Sequence, residues 1–386
     1  MDTEERKELR RDRRRQKDKK VRRITWIVLV VLLAGIVVLK LCEVDFSHLG
    51  GSHSNATVIS DRFPYTLDSS ERVSVQKQGT KLAVLTAGSV TVLNPANGKE
   101  EFSAVHGYAN PVTAVSNSYL VTYDQGGSKL RLDYNGENLY EIEAKNGILC
   151  ADVSDDGKVA YAACSTEKRS DIQVLSKTRN EKIKYSLSYG FVSNIAIRAD
   201  GRQVAFVAMN SKNAKLQPKL YLMRLKDTEP YASFDLPGTQ VLDIAFRGSS
   251  LYVVGNSFLS VASGAHLQNV LKNDEIQTVA MGYTSNGDLV LAYSSYNNAA
   301  QNTVAHISAT GKVKSSFTVT GTIKDLSVSG RRVSVLYTDK IVIYKLSDGQ
   351  ELYTVSCSDN VRSVTMMSSN LFIQRQSIIE KEETKS

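Results

Sequence analysis

The chain has 386 residues, 42% of them hydrophobic and 23% charged, a globular composition that allows one large domain or two ordinary ones. The net charge of +8 is concentrated at the N-terminus, because residues 1–23 hold 12 Lys and Arg but only 6 Asp and Glu. The rest of the chain has 36 basic and 34 acidic side chains, so it lacks the basic excess of a nucleic-acid-binding domain. We therefore expect no nucleic-acid partner.

The basic tail, residues 1–23, contains the runs RRDRRR and KDKK. Basic groups close to a bilayer attract anionic lipid, at about 1 kcal/mol each. The residues that we expect to face lipid are Arg13, Arg14, Arg15, Lys19, Lys20, Arg22 and Arg23. The alternative is that the tail only sets the membrane topology.

An apolar segment, Ile24–Leu41, follows the tail. It has 18 residues with Lys40 as its one charge, and as a helix it spans about 27 Å, close to the hydrocarbon thickness of a bilayer. No A-x-A-like site follows it and no lipobox precedes Cys42, so an uncleaved transmembrane helix is favoured over a signal peptide. The positive-inside rule then predicts a cytoplasmic tail and an extracytoplasmic remainder. Residues 42–55, which include GGSHSN, are typical of a flexible linker.

The residues after the linker repeat a weak β pattern. Four stretches have apolar residues alternating on both sides of a turn, which is the signal of a β-hairpin: 151–163, 195–208, 281–293 and 326–337. Two turns that lie later within their repeating units have glycine, Gly98 and Gly349, where a positive φ is expected. Cys150 and Cys164 flank the first hairpin; we interpret them as small buried apolar residues, with a disulfide bond as the alternative.

The repeating units have the length of propeller blades. They begin near residues 73, 112, 148, 192, 241, 276 and 323, a spacing of 35–49 residues that fits four strands each. Segments 361–367 and 369–381 provide strands of an eighth unit, and 56–68 provides the strand that completes it. We therefore predict an all-β, eight-bladed β-propeller at 56–381, followed by a short tail, 382–386. Seven blades, a sandwich or two smaller β domains are the alternatives.

The hairpins resemble WD40-like and TolB-like propeller repeats. The turns Asn97-Gly98-Lys99 and Asp348-Gly349-Gln350 resemble those of PQQ-like propellers, but the only tryptophan, Trp26, lies in the apolar segment. We therefore expect no quinone and no other cofactor. The whole plan, with FPYTLD (63–68) and HGYANP (106–111), resembles an uncharacterised Gram-positive bacterial family of single-pass, membrane-anchored propellers. That resemblance implies no known activity.

No catalytic or metal-binding motif appears in the sequence. The five histidines are isolated, and HExxH, GxSxG, Walker and GxGxxG elements are absent. Aligning the innermost strands predicts a polar column on the propeller axis, formed by Asn194, Asp243, Thr278, Asp325 and Ser363. Such a column is either a ligand site or the lining of a water-filled channel.

The loop HGYANP is a second candidate site. His106, Tyr108 and Asn110 offer polar and aromatic contacts on a loop face. The alternative is structural, with Pro111 stiffening the next strand and Tyr108 packed between blades.

The leading functional hypothesis is a binding or scaffold module that is anchored in the cell membrane and faces outward. Its partner would be an envelope protein, a peptide or a glycan. One alternative is a channel-centred hydrolase or lyase, which requires clustered acid and base residues with perturbed pKa values. Another is a signal relay that uses the basic tail.

Overall fold

The computed structural model describes residues 62–272, 276–295, 298–358 and 360–384. Within these ranges 32 strands form eight four-stranded sheets, which confirms the eight-bladed propeller. The predicted basic tail, transmembrane segment and linker lie outside the described residues. Inside those ranges we find no helix with the length and apolar character needed to cross a membrane.

Blades 1 to 4 follow one another along the chain, and each sheet keeps its strands in sequence order. Blade 1 is β2 (Ser74–Gln78), β3 (Lys81–Leu85), β4 (Ser89–Leu93) and β5 (Glu100–Val105). Blade 2 is β6 (Pro111–Val115), β7 (Tyr119–Asp124), β8 (Lys129–Tyr134) and β9 (Glu137–Glu143). Blade 3 is β10 (Ile148–Val153), β11 (Val159–Cys164), β12 (Ser170–Leu175) and β13 (Glu181–Leu187). Blade 4 is β14 (Phe191–Ile197), β15 (Gln203–Lys212), β16 (Lys215–Arg224) and β17 (Ala232–Asp235).

Blades 5 to 7 repeat this order, and blade 8 combines both ends of the described chain. Blade 5 is β18 (Val241–Arg247), β19 (Ser250–Gly255), β20 (Phe258–Ser263) and β21 (His266–Lys272). Blade 6 is β22 (Ile276–Tyr283), β23 (Leu289–Ser295), β24 (Asn298–Ile307) and β25 (Val313–Thr320). Blade 7 is β26 (Asp325–Ser329), β27 (Arg332–Leu336), β28 (Lys340–Lys345) and β29 (Glu351–Ser356). Blade 8 is β30 (Ser363–Met367), β31 (Asn370–Gln374), β32 (Ile378–Glu383) and β1 (Tyr65–Thr66).

The closure of the ring confirms the predicted pairing of the two chain ends. Tyr65 is paired with Ile379, and the Leu67 amide donates to the Ser377 carbonyl at 2.9 Å. The Leu67 side chain is buried against blades 8 and 1. The N-terminal strand therefore completes the last blade and ties the ring shut.

The hydrophobic core lies between the blades. Within the described residues eight apolar clusters are found, one for each interface between neighbouring blades. Middle strands such as β3 and β4 are covered on both faces, so they are apolar almost throughout. Outermost strands such as β5 and β29 alternate between exposed and half-buried residues, because only one face meets a neighbour.

The two turn glycines have the predicted backbone conformation, and the two cysteines are not bridged. Gly98 and Gly349 have φ angles of 68° and 74°, as expected from their turn positions. A Cβ atom at Gly349 would lie 2.5 Å from Cγ of Phe317, so close packing adds to the conformational requirement. Cys150 and Cys164 are both free thiols; the first is buried and the second half-buried.

Candidate functional site

The first strand of each blade lines the axis of the propeller. Each of these strands is the edge of its own sheet, and most of them pack directly against the first strand of the next blade. We call the space that they surround the central channel; its walls are β2, β6, β10, β14, β18, β22, β26 and β30. An edge strand leaves backbone groups without a partner in its own sheet, so side chains must satisfy them.

Two channel carboxylates bind the backbone of the following blade. Asp325 accepts hydrogen bonds from the Val364 amide at 2.9 Å and from its neighbour Leu326 at 2.8 Å. Asp152 accepts one from the Ile197 amide at 2.8 Å. These contacts join blade 7 to blade 8 and blade 3 to blade 4 at the channel wall.

Blades 5 and 6 are bridged by a carboxylate, a phenol and a guanidinium. The Tyr283 hydroxyl donates to Oδ2 of Asp243 at 2.7 Å. The Arg247 guanidinium lies 4.1 Å from the centroid of the same tyrosine ring, a cation–π distance. Arg247 is also close enough to Asp152 and Asp243 to favour their ionised forms.

Lys77 is the other cation of the channel. Its side chain extends from blade 1, past blade 8, and donates to the Val328 carbonyl of blade 7. It is half-buried, and in the part of the chain that the structure describes no carboxylate forms an ion pair with it. Among the described residues, the contact shown for the ammonium is thus one backbone carbonyl.

Burial disfavours the charged forms of these groups. It raises the pKa of Asp152 and of Asp325 to about 6, although the amides that bind both carboxylates act in the opposite direction. Burial likewise raises the pKa of Asp243, against the hydrogen bond from Tyr283 and the charge of Arg247. The pKa of Lys77 falls to about 8 for the same reason. The fold thus keeps charges where burial destabilises them.

The charges are distributed unequally along the channel. Asp325 is the first residue of β26 and Asp243 the third of β18, so both carboxylates lie near the strand starts. Arg247 is the last residue of β18 and Lys77 the next to last of β2. Inner strands enter the ring from the same side, so Asp243 and Asp325 lie toward one end of the channel, and Asp152, the fifth of six residues of β10, lies with Arg247 and Lys77 toward the other.

The predicted polar column is placed on five consecutive inner strands, those of blades 4 to 8, and its members have different partners. Asp243 and Asp325 have the channel contacts described above. The side-chain amide of Asn194 donates from Nδ2 to the Leu242 carbonyl of blade 5 at 3.3 Å. The Thr278 hydroxyl donates to the Gly255 carbonyl of blade 5 at 2.9 Å, and the Ser363 hydroxyl to Oε1 of Gln374 at 2.5 Å.

A β-bulge separates Thr278 from the equivalent of Asp243. Asn194 and Asp243 each directly follow a bulge in the ladder of their blade, whereas Thr278 precedes one. When the strand starts are aligned, Thr278 is therefore matched to Asp243 although the two residues lie on opposite sides of the bulge in their blades. The same alignment did not select Lys77, Asp152, Arg247 and Tyr283, which lie further along their strands. For Asp152, Arg247 and Tyr283 the sequence signal is an ionisable or hydroxyl side chain in a strand whose other residues are mainly apolar or small; β2, which carries Lys77, is mostly polar and gives no such signal.

In the loop HGYANP, His106, Tyr108 and Asn110 make hydrogen bonds within the protein, whereas Gly107 and Ala109 are exposed. The Tyr108 amide donates to Nδ1 of His106, so Nε2 carries the proton and donates to the Thr86 carbonyl at 3.2 Å. Burial lowers the pKa of His106 and raises that of Tyr108 to about 12. The Asn110 amide donates to Oδ1 of Asp124 at 2.7 Å, and its side-chain oxygen accepts from Arg72. These contacts connect blades 1 and 2.

A small cavity with a mixed polar and apolar lining is found between blades 1 and 2, outside the channel. It has a volume of about 30 Å³, which is room for one water molecule. Gln78 lines it, and Oε1 of this buried side chain has no hydrogen-bond partner in the protein. Throughout the described ranges, this cavity included, no group of three or more His, Cys, Asp or Glu side chains is arranged to hold a metal ion.

Comparison with solved structures shows the same fold at low sequence identity. The computationally designed Ika8 protein has a TM-score of 0.58 and 13% identity, over 82% of this chain and 98% of that chain. The C-terminal WD40 domain of Sif2 has a TM-score of 0.58 and 12% identity, over 80% and 93%. BamB from Moraxella catarrhalis has a TM-score of 0.52 and 12% identity, over 82% and 97%. These similarities show the propeller fold alone.

The family assignment comes from the sequence. No curated protein matches the chain significantly. The profile of a family of unknown function, DUF5711, matches residues 56–385, which is most of the chain. The chain therefore belongs to the DUF5711 family, and the matched region contains the eight-bladed propeller.

Proposed function

We propose that this protein is a binding module of the cell envelope, anchored by one membrane helix, with the propeller on the extracytoplasmic side. The apolar segment Ile24–Leu41 and the excess of basic residues before it support the anchor and its orientation. The propeller supports the binding role, because a closed ring of eight blades is a rigid platform.

One observation carries the assignment of the binding site to the central channel. Asp152, Asp243, Asp325 and Lys77 are kept on the channel wall although burial destabilises their charged forms. The amides that bind Asp152 and Asp325 return part of this cost, but the ionised forms remain less stable there than in water. Residues that oppose stability in this way concentrate at functional sites.

The distribution of charge indicates the class of ligand. Asp243 and Asp325 near the strand starts attract a cationic group, and Lys77 near the strand ends, where Asp152 offsets the charge of Arg247, attracts an anionic one. A ligand with both charges, such as a short peptide with free termini, matches this arrangement. Its ion pairs would form in a partly desolvated channel, where they are stronger than at an exposed surface.

Binding can be measured with a library of zwitterionic dipeptides and tripeptides as the probe. We expect some members to raise the melting temperature of the full chain and to lose this effect in the double variant Lys77→Met, Arg247→Met. The matched control is Lys129→Met, an exposed lysine on β8. A library without any stabilising member, or equal loss in the control, would contradict the channel site.

The orientation is tested separately with reporters fused to the C-terminus and expressed in bacteria. We expect alkaline phosphatase, which requires export, to be active, and green fluorescent protein to be dark. Deletion of residues 24–41 should reverse both results. Cytoplasmic fluorescence of the full-length fusion would refute the proposed topology.

Hydrolase or lyase activity is the second candidate, and the raised pKa values of Asp152 and Asp325 favour it. A carboxyl group with a pKa of about 6 is suited to act as a general acid. Both groups, however, bind backbone amides of the next blade, and the described His306 pairs with Asp288 in blade 6 rather than with a channel carboxylate. Turnover of an envelope substrate that Asp325→Asn abolishes would support the enzyme.

A further inference from the structure

The cavity between blades 1 and 2 contains a buried acceptor that the protein leaves without a donor. Gln78, the last residue of β2, lines the cavity and is only 5% exposed. Its Oε1 has no hydrogen-bond partner in the protein. A buried acceptor of this kind costs free energy unless a molecule that enters the cavity donates to it. Gln78 is therefore the point at which a ligand with a donor group gains a hydrogen bond.

The charged groups around Gln78 have partners inside the protein. Lys81, which is paired with Gln78 across the β2–β3 turn, forms an ion pair with Glu101 at 2.6 Å. On blade 2 the Asp133 carboxylate accepts two hydrogen bonds from the Arg131 guanidinium, at 2.6 and 2.8 Å. Each of these charges has its counterion, so the walls select neither an anion nor a cation. The electrostatics favour an uncharged ligand.

The size and lining of the cavity limit the group that can enter it. The volume of about 30 Å³ has room for one group of the size of a water molecule, such as a hydroxyl. An apolar wall, formed by Val92, Phe102 and Leu120, lies beside Gln78. A hydroxyl carried on a CH₂ group matches both parts of the lining, because the hydroxyl can donate to Oε1 while the CH₂ group contacts the apolar wall.

The rim of the cavity is exposed and is built from turns. Asn117 lies between β6 and β7, and Asn135 and Gly136 lie between β8 and β9; all three line the cavity and are exposed. Asn117 is fixed by blade 3, since its backbone and side-chain amides donate to the Asp155 carboxylate at 3.2 and 3.1 Å. A side-chain amide both donates and accepts hydrogen bonds, which suits the hydroxyls of a sugar ring.

We propose that the cavity and its rim form a sugar-binding site, which takes a neutral hexose through its primary hydroxyl. This hydroxyl donates to Oε1 of Gln78, the CH₂ group that carries it contacts the apolar wall, and the ring lies against Asn117 and Asn135. The primary hydroxyl projects from the ring on one carbon, so it reaches the cavity while the ring remains outside. The site lies outside the central channel, and the inference does not depend on the channel ligand.

The test uses the full chain in a detergent without a sugar headgroup, and saturation-transfer-difference NMR with the methyl glycosides of glucose, galactose and mannose. We expect at least one hexoside to bind, with its strongest signal at the C6 protons. Its 6-deoxy analogue should bind about fivefold more weakly or not at all, because it lacks the donor to Gln78. Gln78→Leu should weaken binding of the hexoside to the same degree.

The control variant is Gln217→Leu, the same change at an exposed position of β16, which should bind like the wild type. Circular dichroism of each variant checks that a loss of binding does not come from a loss of the fold.

Four results would overturn the proposal. The first is that none of the three hexosides binds, which leaves the cavity to water only. The second is equal affinity for the 6-deoxy analogue, which shows that no primary hydroxyl enters the cavity. The third is full affinity in Gln78→Leu, or an equal loss in Gln217→Leu, which places the sugar elsewhere. The fourth is equal binding of glycerol, which shows that the sugar ring makes no contact. The channel experiment with dipeptides is unaffected by any of these results.

Discussion

The buried ammonium of Lys77 offers a direct measure of the stability that the channel gives up. Lowering its pKa from 10.5 to about 8 corresponds to roughly 3 kcal/mol, because one pKa unit is about 1.4 kcal/mol. Replacing the side chain by methionine keeps its length and removes the charge. The Val328 carbonyl loses its donor, at a cost of about 1 kcal/mol. We therefore expect Lys77→Met to stabilise the protein by about 2 kcal/mol at pH 7.

The pH dependence separates this cause from others. Between about pH 8 and 10.5 the unfolded chain still binds the Lys77 proton and the folded chain has released it, so wild-type stability rises with pH in this window. The advantage of Lys77→Met should accordingly disappear by pH 10.5. Urea unfolding followed by circular dichroism measures both values, and the exposed Lys129→Met is the control. The reasoning would be refuted if Lys77→Met were less stable than the wild type at pH 7, or if its stability advantage were the same at pH 7 and pH 10.5.

Three further predictions concern stability. Because burial raises the pKa values of Asp152 and Asp325, the folded chain binds more protons than the unfolded chain between about pH 4 and 6. The unfolding free energy therefore decreases as pH rises through that window. In Asp325→Asn the decrease in unfolding free energy between pH 4 and 7 should be smaller than in the wild type, by up to about 3 kcal/mol, as measured by urea unfolding. Gln78→Leu removes a buried oxygen that has no hydrogen-bond partner in the protein and should raise the unfolding free energy by about 1 kcal/mol. A lower unfolding free energy in this variant would show that the oxygen has a bound partner. Gly349→Ala should lower the melting temperature, since its φ of 74° and the Phe317 ring oppose a Cβ atom; an unchanged value would contradict this.

Much of the fold was predictable because each blade is a local unit. The seven predicted unit starts lie within two residues of the starts of β2, β6, β10, β14, β18, β22 and β26. Hairpin pairing depends on alternation and turn residues that are adjacent in sequence, so the pattern of residues 151–163 or 326–337 is sufficient to define it. The eighth blade was predictable because three strands at one end of the chain lacked a fourth.

The candidate site was less predictable, because it depends on contacts between blades. Nothing in the sequence near Lys77 indicates that its side chain reaches Val328, about 250 residues later in the chain. The contact of Tyr283 with Asp243 likewise requires the angle between blades 5 and 6. The bulge before Ala280 is a third case, since one extra residue in β22 has no clear sequence marker and displaces Thr278.

We propose that the propeller binds a partner through the channel on the outer side of the membrane. It is tested most directly by a photo-crosslinking amino acid in place of Ser193, an exposed residue of the inner strand β14, in intact cells. The same amino acid in place of Leu139, on the outermost strand of blade 2, is the control. We predict one stoichiometric partner that is captured from position 193 and not from position 139. Equal capture from both positions, or none from either, would contradict the claim.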